Sequence, residues 1–174
     1  MILKQKLAGS RITLRQMECF DISDEFIDWL HDPTINRFLE VRKQPPTYDE
    51  QCRYTDMCRE SQDKYYLAIT LIDGRLIGST TWTINGNSVE VGLMIGDKEC
   101  QGKGLGREVV DLAIDWATNS GFEMLTAGYL AQNISSAKLF ASAGFQIVEN
   151  PNADDTIASK DPVVRTALLC EKRG

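Results

Sequence analysis

The sequence predicts a mixed α/β (α+β) domain, on three observations. Two turn dipeptides, Asp73-Gly74 and Asn85-Gly86, divide the middle of the chain into an antiparallel meander of apolar, β-branched runs. A glycine-spaced segment, Gln101-Gly102-Lys103-Gly104-Leu105-Gly106, separates the last of these runs from a strongly amphipathic helix. A strand pattern beyond that helix completes a β-α-β crossover, so its strand runs parallel to the one before, with a right-handed connection. The expected result is a central mixed sheet of about six to seven strands flanked by about four helices. With 174 residues, 43% of them hydrophobic, one domain over 1–174 is expected and two are not.

The elements follow in order. Ser10 to Met17 alternates, with Ile12 and Leu14 on one face, as a strand does. Ser23 is the N-cap type, Asp24 and Glu25 suit a first turn, and Phe26, Ile27 and Leu30 form an apolar stripe that ends before His31-Asp32-Pro33. Pro45-Pro46 breaks the chain. Thr47-Tyr48-Asp49-Glu50 is a capping box opening a helix to Glu60, whose weak apolar stripe suits a cover over a cleft better than a place in the core. Tyr65–Ile72, Arg75–Ile84 and Ser88–Ile95 are the meander strands. After the glycine turn, Leu105, Val109, Val110, Leu112, Ala113, Trp116 and Ala117 fall at helical spacing, and Gly121 suits the position just past the helix end. Met124–Leu130 is the crossover strand, and Asn133 caps a short helix through Ala143. Phe145–Glu149 and Val163–Cys170 read as a closing pair of strands, joined by a polar loop from Asn150 to Pro162. Trp29, Trp82 and Trp116 are expected in the core.

Composition narrows the function. A net charge of −6 and a pI near 4.9 disfavour a partner of nucleic-acid phosphates and suit a cationic substrate, or simply a soluble surface. The amino terminus has no basic stretch followed by an apolar run, and no apolar run is long enough to span a bilayer, so a cytoplasmic protein without membrane partners is expected. Five cysteines with no C-x-x-C pair, and one histidine, predict neither a disulfide framework nor a structural zinc site.

The glycine turn is the strongest chemical signal. Glycines at alternate positions let a ligand approach the backbone, and a helix starting there aims unpaired N–H groups at an anion. A triphosphate-binding P-loop is excluded by the spacing from Gly96 to Gly102 and by Gly104 standing after Lys103 in place of a hydroxyl residue. A dinucleotide fingerprint is excluded because Val109 holds the third glycine position and the preceding strands are an antiparallel meander.

What remains is Q-x-x-G-x-G between a strand and a long helix, followed by Asn133-Ile134-Ser135-Ser136-Ala137-Lys138-Leu139-Phe140 and then Ala143-Gly144-Phe145. Together these resemble the GNAT family of acyl-CoA-dependent N-acetyltransferases, over most of the chain. Arg11-Ile12-Thr13-Leu14-Arg15, Asp32-Pro33 and the meander look like the branch that includes the ribosomal-protein N-terminal (RimJ/RimL-type) acetyltransferases. That branch also contains enzymes acting on antibiotics, polyamines and amino sugars.

The resemblance implies acetyl-CoA as acyl donor, no metal, a small-molecule or peptide amine as acceptor, and a homodimer. It places the donor pyrophosphate on Gln101, Gly102, Lys103, Gly104, Leu105, Gly106 and Arg107, the pantetheine arm along Leu93, Met94 and Ile95, and further donor contacts at Asn133 and Ser136. Lys103 and Arg107 read equally as solvated charge, and Asn133 as an N-cap. Glu90 is the candidate general base: it interrupts the apolar alternation of Val89, Val91, Leu93 and Ile95, so it projects from the opposite face with Gly92 and Met94, and it matches a position where many relatives carry glutamate. An exposed strand residue is the plainer reading of Glu90. Gly92 suits either a bulge or close packing. A backbone N–H near Met94 is implied as the contact for the developing oxyanion. Many relatives carry tyrosine at the position of Phe140, where it protonates the departing thiolate; phenylalanine cannot, which leaves Tyr129 and Tyr48 as substitutes and keeps a non-catalytic acyl-CoA sensor as the alternative. Cys100 beside the turn lacks a histidine partner, so direct attack is expected over a covalent enzyme intermediate.

Overall fold

The computed structural model describes residues 3, 5–148 and 163–170. Its strands are β1 (Leu7–Ala8), β2 (Ile12–Gln16), β3 (Lys64–Leu71), β4 (Leu76–Asn85), β5 (Ser88–Ile95), β6 (Met124–Leu130), β7 (Gln146–Ile147) and β8 (Val163–Leu169). They form one eight-stranded sheet in the order β1-β2-β3-β4-β5-β6-β8-β7. Among the described residues β5 and β6 are the one parallel pair, and the other pairings are antiparallel. The helices are α1 (Asp24–His31), α2 (Pro33–Asn36), α3 (Tyr48–Glu60), α4 (Leu105–Asn119) and α5 (Ile134–Ser142).

The two turn dipeptides act as their sequence demands. Gly74 and Gly86 take φ of 93° and 60°, and the β4–β5 ladder runs unbroken from Gly78↔Ile95 to Asn85↔Ser88. Ser23 caps α1 by accepting from Phe26 N (3.1 Å), and Thr47 and Glu50 close the capping box of α3. Gly121 adopts φ 85° just past α4.

The alternation of β5 divides the interior. Val89 and Val91 belong to a core with Val109, Val110, Ala113, Leu125 and Phe140 on the α4–α5 side. Met94 belongs to a second core with Phe26, Trp29, Cys52, Cys58 and Tyr66 on the α1–α3 side. Trp82 is fully buried and packs on Trp116, ring centroids 4.9 Å apart.

Several expectations need correction. The eighth strand is β1, two residues long and so too short to show alternation. The fifth helix is α2: Pro33 does not stop α1 so much as occupy the first position of a new turn, where its missing N–H costs nothing, with Asp32 as N-cap. α3 does enter the core, because its inner face is Gln51, Cys52, Thr55 and Cys58. The polar members are satisfied internally, Gln51 Nε2 donating to Tyr66 Oη (3.0 Å) and Thr55 Oγ1 to Gln51 O (2.9 Å). A disulfide joins Cys19 to Cys52, Cα atoms 5.0 Å apart. Their separation of 33 residues carries no spacing signal; the pair meets because α3 packs on the 3-10 turn Cys19–Asp21 after β2. Gly92 is not at a bulge, since Thr81↔Gly92 is in regular register; the irregularity lies one strand away, between Ile69 and Thr70. The expected loop from Asn150 to Pro162, and Glu149, lie outside the described residues. Among the described residues, no helix is long and apolar enough to cross a membrane.

Candidate active site

The site is built where β5 and β6 part. Their parallel pairing covers only Ser88↔Met124, Val89↔Leu125 and Glu90↔Thr126, after which β5 runs on to Ile95 without β6. The hydrogen-bond alternation tells which backbone groups face this opening. Gly96 N donates to Ile77 O (2.9 Å), so even-numbered residues exchange bonds with β4 and odd-numbered ones point toward β6. Asn87 O accepting from Glu123 N (2.9 Å) agrees, as does Ile95 O accepting from Gln101 Nε2 (2.8 Å). Val91, Leu93 and Ile95 therefore present main-chain groups to an edge that a strand-like ligand arm can pair with. The same alternation turns the N–H of Met94 toward Ser79 of β4. An oxyanion donor near Met94 has to come from Leu93 or Ile95.

The glycine turn closes one end of the opening. Gly102 and Gly104 adopt φ of 71° and 79°, a region in which a Cβ is strained. A Cβ on Gly102 would meet nothing within 4 Å, so packing does not require a glycine there. Gly104 is the N-cap of α4 and no side chain caps that helix, leaving the first-turn N–H groups of Leu105, Gly106 and Arg107 without an intrahelical acceptor. Leu93 and Leu139 flank Gly106, at 3.5 and 3.6 Å from where its Cβ would lie. An uncapped helix start beside an unpaired strand edge fits a phosphate joined to an extended arm.

The turn is held from three sides. Glu108 accepts from Arg11 N (2.7 Å), Arg11 Nε (3.0 Å), Ser10 Oγ (3.2 Å) and Ile12 N (3.3 Å), while Arg11 Nη1 donates to Lys103 O (2.8 Å). Burial pushes the Glu108 carboxyl up, but the donors from Arg11, Ile12 and Ser10 outweigh it and hold the group below its ordinary value. Lys98 Nζ bonds Asp32 (2.6 Å), and with Thr34 it brings the Asp32 carboxyl down to about 2. Arg75 pairs with Asp97, whose other oxygen caps the 3-10 turn Lys98–Cys100 through Glu99 N (2.8 Å). Arg107 Nε donates to Asp111 (2.8 Å) and Nη1 to Ser142 O (2.5 Å) on α5, which ties its side chain to that helix and leaves its backbone N–H at the turn.

Glu90 lies on the opposite face of β5 from α4, half-buried beside Thr126. Its Oε1 is 3.8 Å from where a Cβ on Gly128 would stand, and nothing lies within 4 Å of one on Gly92. Two exposed glycines thus leave an open floor next to the carboxylate. Asn133 accepts from Ser136 N (3.1 Å) as the N-cap of α5; no hydrogen bond among the described residues joins this pair to the glycine turn. Phe140 is buried and stacks on Tyr129, centroids 6.1 Å apart and planes 8° apart. Tyr129 stands on the part of β6 that β5 has left, whereas Tyr48 lies beside the disulfide. His31 bonds Pro46 O (2.9 Å) at the end of α1. Cys100 is buried, and burial together with Asp97 pushes its thiol up, which keeps it protonated. Sequence reasoning missed Arg11 and Glu108 as a pair, because nothing in their spacing of 97 residues announces the contact.

Among the described residues, no group of three or more His, Cys, Asp or Glu side chains is placed to hold a metal. A groove of about 1330 Å³ lies at the far end of α4, lined by Thr118, Gly121, Met124, Gln146 and Leu168, and none of the candidate residues borders it.

Comparison with known proteins gives the fold and the family. An uncharacterized protein of Methanocaldococcus jannaschii is 31% identical over 139 residues, 79% of this chain but 28% of that protein, so the chain spans under a third of this relative's length. The spermidine N-acetyltransferase of Vibrio cholerae, solved with CoA and spermine, has the same fold at TM-score 0.78 and 19% identity, covering 94% of this chain and 98% of its own. The ribosomal-protein-S5-alanine acetyltransferase of Vibrio fischeri shares it at TM-score 0.71 and 17% identity, covering 97% and 98%. Residues 11–146 match the acetyltransferase (GNAT) domain family. The chain belongs to the GNAT family of acetyltransferases.

Proposed function

We propose that this protein transfers the acetyl group of acetyl-CoA to a primary amine by direct attack, as one catalytic domain working in the cytoplasm. The observation that carries the reading is the opening between β5 and β6, with an uncapped helix start on one face of β5 and Glu90 on the other. The donor's phosphates suit Gln101 to Arg107, and its arm suits the free edge of Leu93 and Ile95. Acetyl-CoA, when bound, supplies an acyl group activated as a thioester. Glu90 takes the proton of the acceptor ammonium, directly or through water, leaving a neutral nitrogen to attack the acyl carbon. The N–H groups of Leu93 and Ile95 donate to the acyl oxygen as it gains charge. Tyr129 is the phenol best placed to return a proton to the leaving sulfur, since Phe140 has none to give. Cys100, buried and protonated, is unsuited to a covalent intermediate.

The acceptor is a protein N-terminus or a small amine such as an amino sugar or a polyamine. Structures with protein and polyamine acceptors in their names resemble this fold alike, so the fold does not choose between them. Release of free thiol from acetyl-CoA, followed across peptides, amino sugars, polyamines and aminoglycosides, tests the reading. Turnover is expected with one class, and Glu90→Gln lowers it by about 10²–10⁴-fold at neutral pH with recovery at higher pH. Turnover unaffected by Glu90→Gln at every pH removes Glu90 as base. Tight CoA binding without turnover on any amine would instead favour a non-catalytic sensor, the reading that Phe140 supports.

A further inference from the structure

We infer that Arg11 is a donor-binding residue: its outer guanidinium nitrogen, Nη2, binds a phosphate of the acyl donor at the glycine turn, and Glu108 is the positioning residue that aims it there. The inference rests on the acetyl-CoA reading above. Arg11 immediately precedes β2, far from the turn in sequence, and two of its three nitrogens are committed: Nε to Glu108 Oε2 (3.0 Å) and Nη1 to Lys103 O (2.8 Å). These bonds fix the guanidinium plane across the turn. Nη2 has no hydrogen-bond partner among the described residues, and it lies 3.6 Å from where a Cβ on Gly104, the N-cap of α4, would be. The side chain is 51% exposed, so a ligand can reach it.

Charge supports the same conclusion. The start of α4 carries the positive end of the helix dipole, and Lys103 adds a cation one residue before the N-cap. Bringing a guanidinium to the same place is unfavourable unless anions balance it. Glu108 supplies one negative charge, and a phosphate seated on the first-turn N–H groups supplies the rest. Arginine suits this role because its rigid planar fork spreads N–H groups over three nitrogens, one each for Glu108, the turn and a phosphate, whereas the donors of a lysine share a single nitrogen. The phosphate is either the pyrophosphate or the 3′-phosphate of the donor, and the two are separable by ligand.

Calorimetric titration of wild type and Arg11→Gln with CoA and with 3′-dephospho-CoA tests this. The affinity of Arg11→Gln for CoA is expected to fall about tenfold or more, the range of a charge-assisted hydrogen bond. Its plot of log Kd against log salt concentration becomes shallower, because one charge contact is gone. An equal loss with both ligands assigns Arg11 to the pyrophosphate, and a loss confined to CoA assigns it to the 3′-phosphate; each supports the inference. Unchanged affinity, or weaker affinity with the salt slope of wild type, means that Arg11 only shapes the turn and overturns it. If Arg11→Gln does not fold, wild type answers. Phenylglyoxal modification of Arg11, read by mass spectrometry, is slowed by CoA but not by pantetheine, and equal modification with CoA present overturns the role. A wild type that binds no CoA refutes the donor assignment itself, whereas one that binds CoA no better than Arg11→Gln refutes only Arg11.

Discussion

Glu108→Ala should unfasten the glycine turn from the body of the sheet, and the cost can be worked from its contacts. The substitution deletes a 2.7 Å bond from Arg11 N and leaves that N–H and the Ile12 N–H, at 3.3 Å, without their acceptor. It also removes the 3.0 Å ion pair with Arg11 Nε. A backbone N–H held by a carboxylate is worth about 1.5–3 kcal/mol. The ion pair adds about 1 kcal/mol at most, because the Arg11 side chain is half exposed. The expected loss is about 2–3 kcal/mol, or about 5–10 °C in Tm for a chain of this size. Thermal unfolding at neutral pH measures it. The sign of the pH dependence follows from the depressed carboxyl. Its contribution is fully present above the ordinary value of 4.5 and is lost as pH falls through the lower folded value. The Tm values of wild type and variant should therefore converge in acid. A fall of less than about 2 °C at neutral pH, or a difference that persists undiminished in acid, would refute the claim that Glu108 holds the turn.

Three further outcomes are expected. In Gly96→Ala the new Cβ collides with the Trp29 ring, and overpacking of this kind costs about 1–3 kcal/mol by urea denaturation. Trimming Trp29 in the same chain should recover part of that cost; strict additivity would show that the contact is relieved another way. Thiol titration of the unreduced, denatured protein should find three of the five cysteines, with Cys19 and Cys52 missing, and reduction should lower stability by about 2–4 kcal/mol. Five titrating thiols before reduction would show that the bridge is not formed. Tyr129→Phe should lower kcat by about tenfold or more without raising KM for the donor, and Phe140→Tyr should restore it in the double variant. Wild-type kcat in Tyr129→Phe at all pH values would leave the leaving sulfur without a protein acid.

The parts of the fold legible in the sequence are those whose cause is local. Asp73-Gly74 and Asn85-Gly86 set two hairpins because positive φ is demanded inside a few residues, and the meander follows from them. The caps at Ser23, Thr47 and Asn133 are equally local, each side chain meeting an N–H three residues on. Pro33 was legible as a boundary but ambiguous in sense, since the same ring that ends one helix can begin the next. α3 misled for a different reason. A helix face of Gln51, Cys52, Thr55 and Cys58 looks unfit for a core until Tyr66 Oη, from a strand 15 residues on, satisfies its amide. The disulfide likewise depends on two elements being packed together, which no spacing of 33 residues reveals.

The same division separates the two halves of the site. Apart from Arg11, what is proposed for the donor phosphates and arm lies within Leu93 to Arg107, because one strand edge and the helix start after it can be written in a single run of chain. Glu90 is legible for the same reason: a period of two sends alternate residues of β5 to opposite faces, so in the proposed site one strand serves donor and acceptor at once. The geometry refines what alternation alone left coarse: the Met94 N–H faces β4, so the oxyanion donor is proposed on its neighbours, since side chains and N–H groups alternate in different directions. The face proposed for the acceptor is assembled differently, from Gly128 on β6, from helices tied to the segment after β5 through Trp29 against Gly96 and Lys98 against Asp32, and from the disulfide-joined α3. These contacts join positions far apart in the chain, and each can be replaced by another pair of the same shape. A donor pocket that must fit one molecule is spelled in a motif, and an acceptor pocket free to vary is spelled in packing. The substrate of such a fold therefore has to be read from the acceptor side of β5 by experiment.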